Sequence, residues 1–99
     1  MNNGQNQIDK WFKEKDWPYW SPHEMLARLV EEVGELARLI NHEHGPKKKK
    51  SNEVEQSMEE EIGDILYALA CLANTLDIDL DSALQKSIDK VESRDKKRF

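Results

Sequence analysis

The chain has 99 residues, 37% of them hydrophobic and 35% charged, with a formal net charge of -5. One domain is the expectation at this length, and so small and polar a chain buries only a modest core alone, so it should be completed by association with copies of itself. The negative balance argues against nucleic acid as a bulk electrostatic partner. The single cysteine, Cys71, excludes an intrachain disulfide framework and suits a reducing cytoplasm. "MNNGQNQIDKW" lacks the apolar run of a signal peptide, and "ILYALACLA", the longest apolar stretch, is too short to cross a bilayer.

Along the chain, Ile8, Trp11, Phe12 and Lys15 predict a short first helix with an aromatic face, broken by Trp17, Pro18, Tyr19 and Trp20. "SPHE" then announces a second helix: Ser21 as N-cap, Pro22 at the first helical position and Glu24 closing a capping box. Met25, Leu26, Leu29, Val30, Val33, Leu36, Leu39 and Ile40 follow at helical spacing, and Gly45-Pro46 ends the run. "KKKKSN" reads as a polar loop. A third helix is expected from about Val54 to Leu76, carrying Val54, Met58, Ile62, Ile65, Leu66, Leu69, Leu72 and Leu76. "DIDLD" makes a turn, with Asp79 or Asp81 capping a fourth helix through Leu80, Leu84, Ile88 and Val91, and the charged tail "SRDKKRF" should fray. No strand pattern of any length occurs. The fold class is therefore all-α, a bundle of about four helices completed by oligomerisation.

Helical geometry decides which acids are solvated. At about 100° per residue, Glu31 falls opposite the apolar centre of the second helix. Glu32 falls only about 60° from that centre, and Glu35 about 120° away on the border. In the third helix Glu59 and Glu60 lie at or beyond the stripe edges, whereas Glu61 lies about 65° from the centre and Asp64 about 125° away. "EEVGEL" and "EEIGDI" thus repeat one device: an acid inside the apolar stripe and another one turn on at its edge. If the helices pack antiparallel through these stripes, Glu32, Glu35, Glu61 and Asp64 converge. Buried like charges disfavour ionisation, so protons or cations must compensate. Hard divalent cations with oxygen ligands, Mg²⁺ or Mn²⁺, are the natural solution, although a single E-x-x-E pair on a wet face is commonplace.

Gly34 and Gly63 stand inside these motifs at a cost of about 1 kcal/mol each relative to alanine. Both face away from the apolar centre, which reads either as a neutral surface position or as a close approach by a helix, subunit or substrate. Trp11, Phe12, Trp17, Tyr19 and Trp20 can cap the open end of a bundle or stack on a nucleobase. Asn74 is either a surface residue or a substrate contact. Lys47 to Lys50 read as a solvated loop that could also steer a polyanion, and Cys71 as a small packing residue. None of His23, His42 and His44 follows a motif glutamate by three, which argues against a di-iron oxidoreductase.

The paired motif resembles that of the MazG-like nucleotide pyrophosphohydrolases of the all-α NTP pyrophosphatase superfamily. The resemblance runs from "SPHEMLARLVEEVGELARLINHEHG" through "SMEEEIGDILYALACLANTLDIDLDSAL" to "KVESRDKKR", nearly the whole chain. It implies hydrolysis of a nucleoside triphosphate between the α and β phosphates, with Mg²⁺ held by Glu32, Glu35, Glu61 and Asp64. It also implies phosphate contacts from Lys90 and Arg94, four apart on the last helix, with Lys86 extending the row; an ordinary solvated face is the blander reading of that row. Ser87 stands where the family often has asparagine. Glu35, at the stripe edge and open to solvent, is the suggested general base, with catalysis shared between Glu35 and Glu61. Trp11, Trp20 and Asn74 are the suggested base or sugar contacts. The expected partners are a nucleoside triphosphate and further copies of the chain, as a homodimer or homotetramer, with neither nucleic acid nor membrane. Two alternatives stand beside this: a phosphoribosyl-ATP-type pyrophosphohydrolase, and a non-catalytic helical module whose acids meet a basic partner.

Overall fold

The computed structural model describes residues 2–44 and 57–98. They form four helices and no strand: α1 (Asn2–Glu14), α2 (Pro22–His44), α3 (Met58–Thr75) and α4 (Leu80–Arg98). The all-α reading holds.

The starts of the helices follow from local chemistry. At α2 the backbone N–H of Ser21 donates to Glu24 Oε1 (3.1 Å), and the N–H of Glu24 donates to Ser21 Oγ (3.3 Å). This is the reciprocal capping box that the sequence predicts. At α3 the cap is Ser57, whose hydroxyl accepts from the Glu60 N–H at 2.9 Å; the predicted start near Val54 lies outside the described residues, as do Gly45-Pro46 and the lysine run. Of the two aspartates suggested for α4, Asp79 is the cap: its carboxylate accepts from the Asp81 N–H (3.0 Å) and the Ser82 hydroxyl (3.4 Å). The charged tail expected to fray instead continues α4 through Arg98.

Both α1 and α3 end in a Schellman turn with aspartate in the left-handed position, Asp16 at φ 55° and Asp77 at φ 56°. The N–H groups of Trp17 and Ile78 reach back to the carbonyls of Phe12 and Ala73, both at 2.9 Å. Aspartate tolerates this conformation better than most residues, so glycine is not required.

α2 and α3 are antiparallel. Met25, early in α2, packs on Ala68 and Cys71, late in α3, while Glu32, further along α2, meets Glu61 and Asp64, early in α3. The buried face of α3 is made of small residues, Ala68, Ala70, Cys71 and Ala73, which let its neighbours come close. α1 packs across α3 and onto the start of α4, burying Ile8 against Ala70, Ala73 and Leu80. Its anchor is Gln5, a buried polar side chain whose amide donates to the Ile78 carbonyl (2.6 Å) and whose oxygen accepts from the Leu80 N–H (3.0 Å). This contact explains why α1 begins at Asn2, well before the apolar pattern that starts at Ile8.

The chain exposes 7918 Å², about 2,000 Å² more than the roughly 5,800 Å² usual for a folded monomer of its mass. Its radius of gyration is 17.0 Å, against about 13 Å for a compact chain of this length. The excess is apolar in part: Leu26, Val30, Val33, Ile62 and Leu66 on α2 and α3, and Leu84, Ile88 and Val91 in a row on α4, all stand open. No helix among the described residues is long and apolar enough to cross a membrane.

Candidate active site

The carboxylates predicted to leave the wet face do so. Glu32 and Glu61 point into the α2–α3 interface, Glu32 with 14% of its side chain exposed and Glu61 fully buried, whereas Glu31, Glu59 and Glu60 are exposed. Asp64, one turn beyond Glu61, stays at the exposed edge. Carboxylate oxygens of Glu32, Glu61 and Asp64 lie within 4.8 Å of one another. Oxygens on opposite sides of a hard divalent cation are about 4–5 Å apart, so the trio suits such an ion.

The electrostatics point the same way. Glu61 shares a hydrogen bond with Glu32; that bond, burial, and the charges of Glu32, Asp64 and Glu35 push its pKa up to about 7. The same hydrogen bond, with a second from Arg28, draws the Glu32 carboxyl below the usual range. The pair therefore titrates as a unit, with the proton held on the buried member. A site that raises the proton affinity of a buried carboxyl in this way has negative charge left to compensate, and a cation does so more fully than one proton.

Glu35 lies outside the trio. Its carboxylate is exposed and accepts from Arg38 Nε (3.3 Å) and Nη2 (3.1 Å). An exposed pair of this kind contributes about 0–1 kcal/mol, so little opposes a turn of Glu35 toward the cluster. Within the chain, a methyl group added at Gly34 or Gly63 would meet nothing within 4 Å. Among the described residues, therefore, no neighbour accounts for either glycine.

Beside the carboxylates opens a cavity of about 470 Å³, lined by Phe12, Trp17, Pro18, Tyr19 and Trp20 from α1 and the following loop, Met25 and Arg28 from α2, and Asp64, Tyr67, Ala68 and Cys71 from α3. This is the size of a small-molecule site. Asp64 belongs both to the cavity wall and to the carboxylate trio. The aromatic wall is built from contacts: Phe12 stacks on Tyr19 (centroids 4.5 Å, 13°), and Trp17 meets Phe12 and Trp11 edge-on. The Tyr19 hydroxyl donates to Asp9 Oδ1 (2.8 Å) and accepts from Asn74 Nδ2 (3.0 Å). Burial and Asp9 together push that phenol well above its ordinary pKa. Burial likewise raises the Cys71 thiol and the Tyr67 phenol.

Of the three suggested base or sugar contacts, Trp20 lines the cavity. Trp11 sits one layer back against Trp17, and the Asn74 amide is taken by Tyr19 and the Gln5 carbonyl (3.2 Å). Lys86, Lys90 and Arg94 lie exposed along α4, and no α4 residue lines the cavity. Sequence reading did not single out Arg28, Tyr67 or Met25 for the cavity. Arg28 had a legible signal, its placement four residues before Glu32 on the same helix.

The family model of the MazG nucleotide pyrophosphohydrolase domain matches residues 20–99. The chain is 48% identical to the uncharacterized protein YpjD of Bacillus subtilis over 99 residues, which is 100% of this chain and 89% of that protein. The crystal structure of YpjD superposes with a TM-score of 0.82 over 95% of this chain and 94% of that one. The crystal structure of the Bacillus-conserved MazG protein, a nucleotide pyrophosphohydrolase, is 41% identical with a TM-score of 0.74, covering 90% of this chain and 85% of that one. dCTP pyrophosphatase 1 of Rattus norvegicus is 35% identical over 86 residues, 82% of this chain and 50% of that protein.

Proposed function

The chain belongs to the MazG nucleotide pyrophosphohydrolase family, and from that premise we propose that it hydrolyses nucleoside triphosphates to the monophosphate and pyrophosphate in a Mg²⁺-dependent reaction, Mn²⁺ serving as a substitute. Water adds across the bridge between the α and β phosphorus atoms, and its oxygen is retained on one product. One observation carries the reading. The aromatic cavity ends at Asp64, a member of the carboxylate trio, so a base held among the rings delivers its phosphates to the acids.

Each residue has a role in this reading. Glu32, Glu61 and Asp64 would hold the cation, and Glu35 would join them on leaving Arg38. A divalent ion bound there would supply positive charge against the phosphate oxygens and would lower the pKa of the attacking water. Glu35, exposed at the edge of the cluster, would take the water's proton, and the buried Glu61 fixes the electrostatics around it. Trp20 offers a face to the base. Trp11 and Asn74 act through the wall, by holding Trp17 and Tyr19 in place. The domain spans residues 1–99, because α1 supplies Phe12 and is fastened to α3 and α4 through Gln5 and Asn74.

The active assembly is a homo-oligomer, a dimer or tetramer. The surplus exposed surface supports this, since a stable interface removes about 800 Å² per partner. Lys86, Lys90 and Arg94 meet the phosphates in that assembly, where an α4 from another subunit can reach the acids. The test is a panel of ribo- and deoxyribonucleoside triphosphates with Mg²⁺ and analysis of the products. Monophosphate with pyrophosphate supports the proposal; orthophosphate with diphosphate overturns it.

A further inference from the structure

We propose that Arg28 is a catalytic residue that clamps the α-phosphate of the nucleotide at the junction of the aromatic cavity and the carboxylates. Arg28 is one turn before Glu32 on α2, and its Nε donates to Glu32 Oε1 at 2.9 Å. That bond uses one of its five N–H donors. Among the described residues, neither Nη group has a hydrogen-bond partner. The guanidinium lines the cavity, and its charge is felt at the side chains of Tyr67 and Cys71 on the opposite wall.

Charge makes the position informative. Among the described residues the cavity lining contains one cation, Arg28, and one anion, Asp64; every other one is aromatic, apolar, or a buried thiol. A nucleoside seated among the rings has to pass its phosphates out past these two groups toward the trio. The α-phosphate is the first group to arrive, and among the described residues Arg28 alone in the lining can offer it a positive charge.

The competing account is an ordinary i,i+4 surface pair, worth a few tenths of a kcal/mol. Two features separate Arg28 from such a pair. Its partner Glu32 has turned into the helix interface with 14% of its side chain exposed, and the half-exposed arginine bonds it from the cavity wall. The bond through Nε also leaves both Nη groups available, the geometry for two parallel bonds to phosphate oxygens. The contact persists in the monophosphate product, because cleavage between the α and β phosphorus atoms leaves the α-phosphate on the nucleoside.

This inference rests on the proposed seating of the base in the cavity, and the test separates the two. Tryptophan fluorescence, from Trp17 and Trp20 in the cavity wall, follows titration of the Mg²⁺-loaded protein with a nucleoside and with its 5′-monophosphate. The monophosphate should bind the wild type more tightly than the nucleoside. Arg28→Ala and Arg28→Gln should each reduce that ratio about ten- to hundredfold, the worth of a charge-assisted pair. Nucleoside affinity should stay within about twofold, and Arg28→Lys should keep part of the ratio. Mn²⁺ affinity, read by electron paramagnetic resonance, should change by less than about threefold. A ratio that survives Arg28→Ala overturns the clamp while the cavity reading stands. A loss of Mn²⁺ affinity equal to the loss of monophosphate affinity overturns it too, since Arg28 would then act only by orienting Glu32. Failure of the wild type to bind the nucleoside overturns the seating of the base, and the clamp falls with it.

Discussion

Without metal, replacing Glu61 should change how stability depends on pH in a way that no surface glutamate can reproduce. The Glu61 carboxyl is fully buried, and its pKa rises from an ordinary 4.5 to about 7. Between these values the folded chain binds a proton that the unfolded chain has released. Stability contributed by this group is therefore present at low pH and lost as pH rises through that window. Glu32, whose pKa is drawn below 4.5, offsets the slope only at the acid end of the window, where the unfolded chain still carries part of a proton on it. At 1.36 kcal/mol per pH unit the wild type should lose about 3 kcal/mol between pH 4.5 and 7. Glu61→Gln keeps the shape, cannot ionise, and should remove that decline. The assay is urea unfolding followed by helical circular dichroism, in EDTA, at one protein concentration so that mass action is held fixed. Mg²⁺ or Mn²⁺ should restore the lost stability of the wild type at pH 7 and above, and should do little for Glu61→Gln. Equal slopes for the two proteins in EDTA would refute the electrostatic account of the cluster, and indifference of the wild type to both metals would refute the cation site.

Glu35→Gln and Asp64→Asn should each lose most of the hydrolytic activity, roughly a hundredfold or more, with helical content unchanged, since both side chains are exposed and neither supports the core; retained turnover in both would remove them from the chemistry. Asn74→Ala deletes the bonds to Tyr19 and to the Gln5 carbonyl. It should cost about 1–2 kcal/mol in unfolding experiments and raise KM more than it lowers kcat, because α1 carries part of the cavity wall. Ile88→Asp on the open row of α4 should weaken self-association by at least about tenfold in sedimentation equilibrium, and an unchanged assembly would exclude that row from the interface.

Much of the fold was legible because it is set locally. The capping box at Ser21, the aspartate cap at Asp79 and the apolar periodicities depend on neighbours within one or two helical turns. The inward placement of Glu32 and Glu61 is of the same kind, since an angle of about 60° from the apolar centre leaves a side chain no other direction. Gln5 was not legible. In "NNGQNQ" it looks like its polar neighbours, and it is buried only because the start of α4 brings an unsatisfied N–H to it. Nor did the pattern separate Trp20, in the cavity wall, from Trp11, one layer behind it. Both are aromatic at plausible spacing, and the distinction depends on how the loop after Asp16 turns back on α3.

By itself, then, the sequence determined four helices, where α2 and α4 start, and which acids leave the wet face, since each follows from spacing along one helix. Tertiary structure alone decided that Glu32, Glu61 and Asp64 share one space, that Glu61 holds its proton to about pH 7, and that Arg28 is the single cation among the described residues of the cavity wall. These properties belong to pairs of helices. Coulomb energy and desolvation depend on distances between residues far apart in the chain, and only the antiparallel register of α2 and α3 sets those distances.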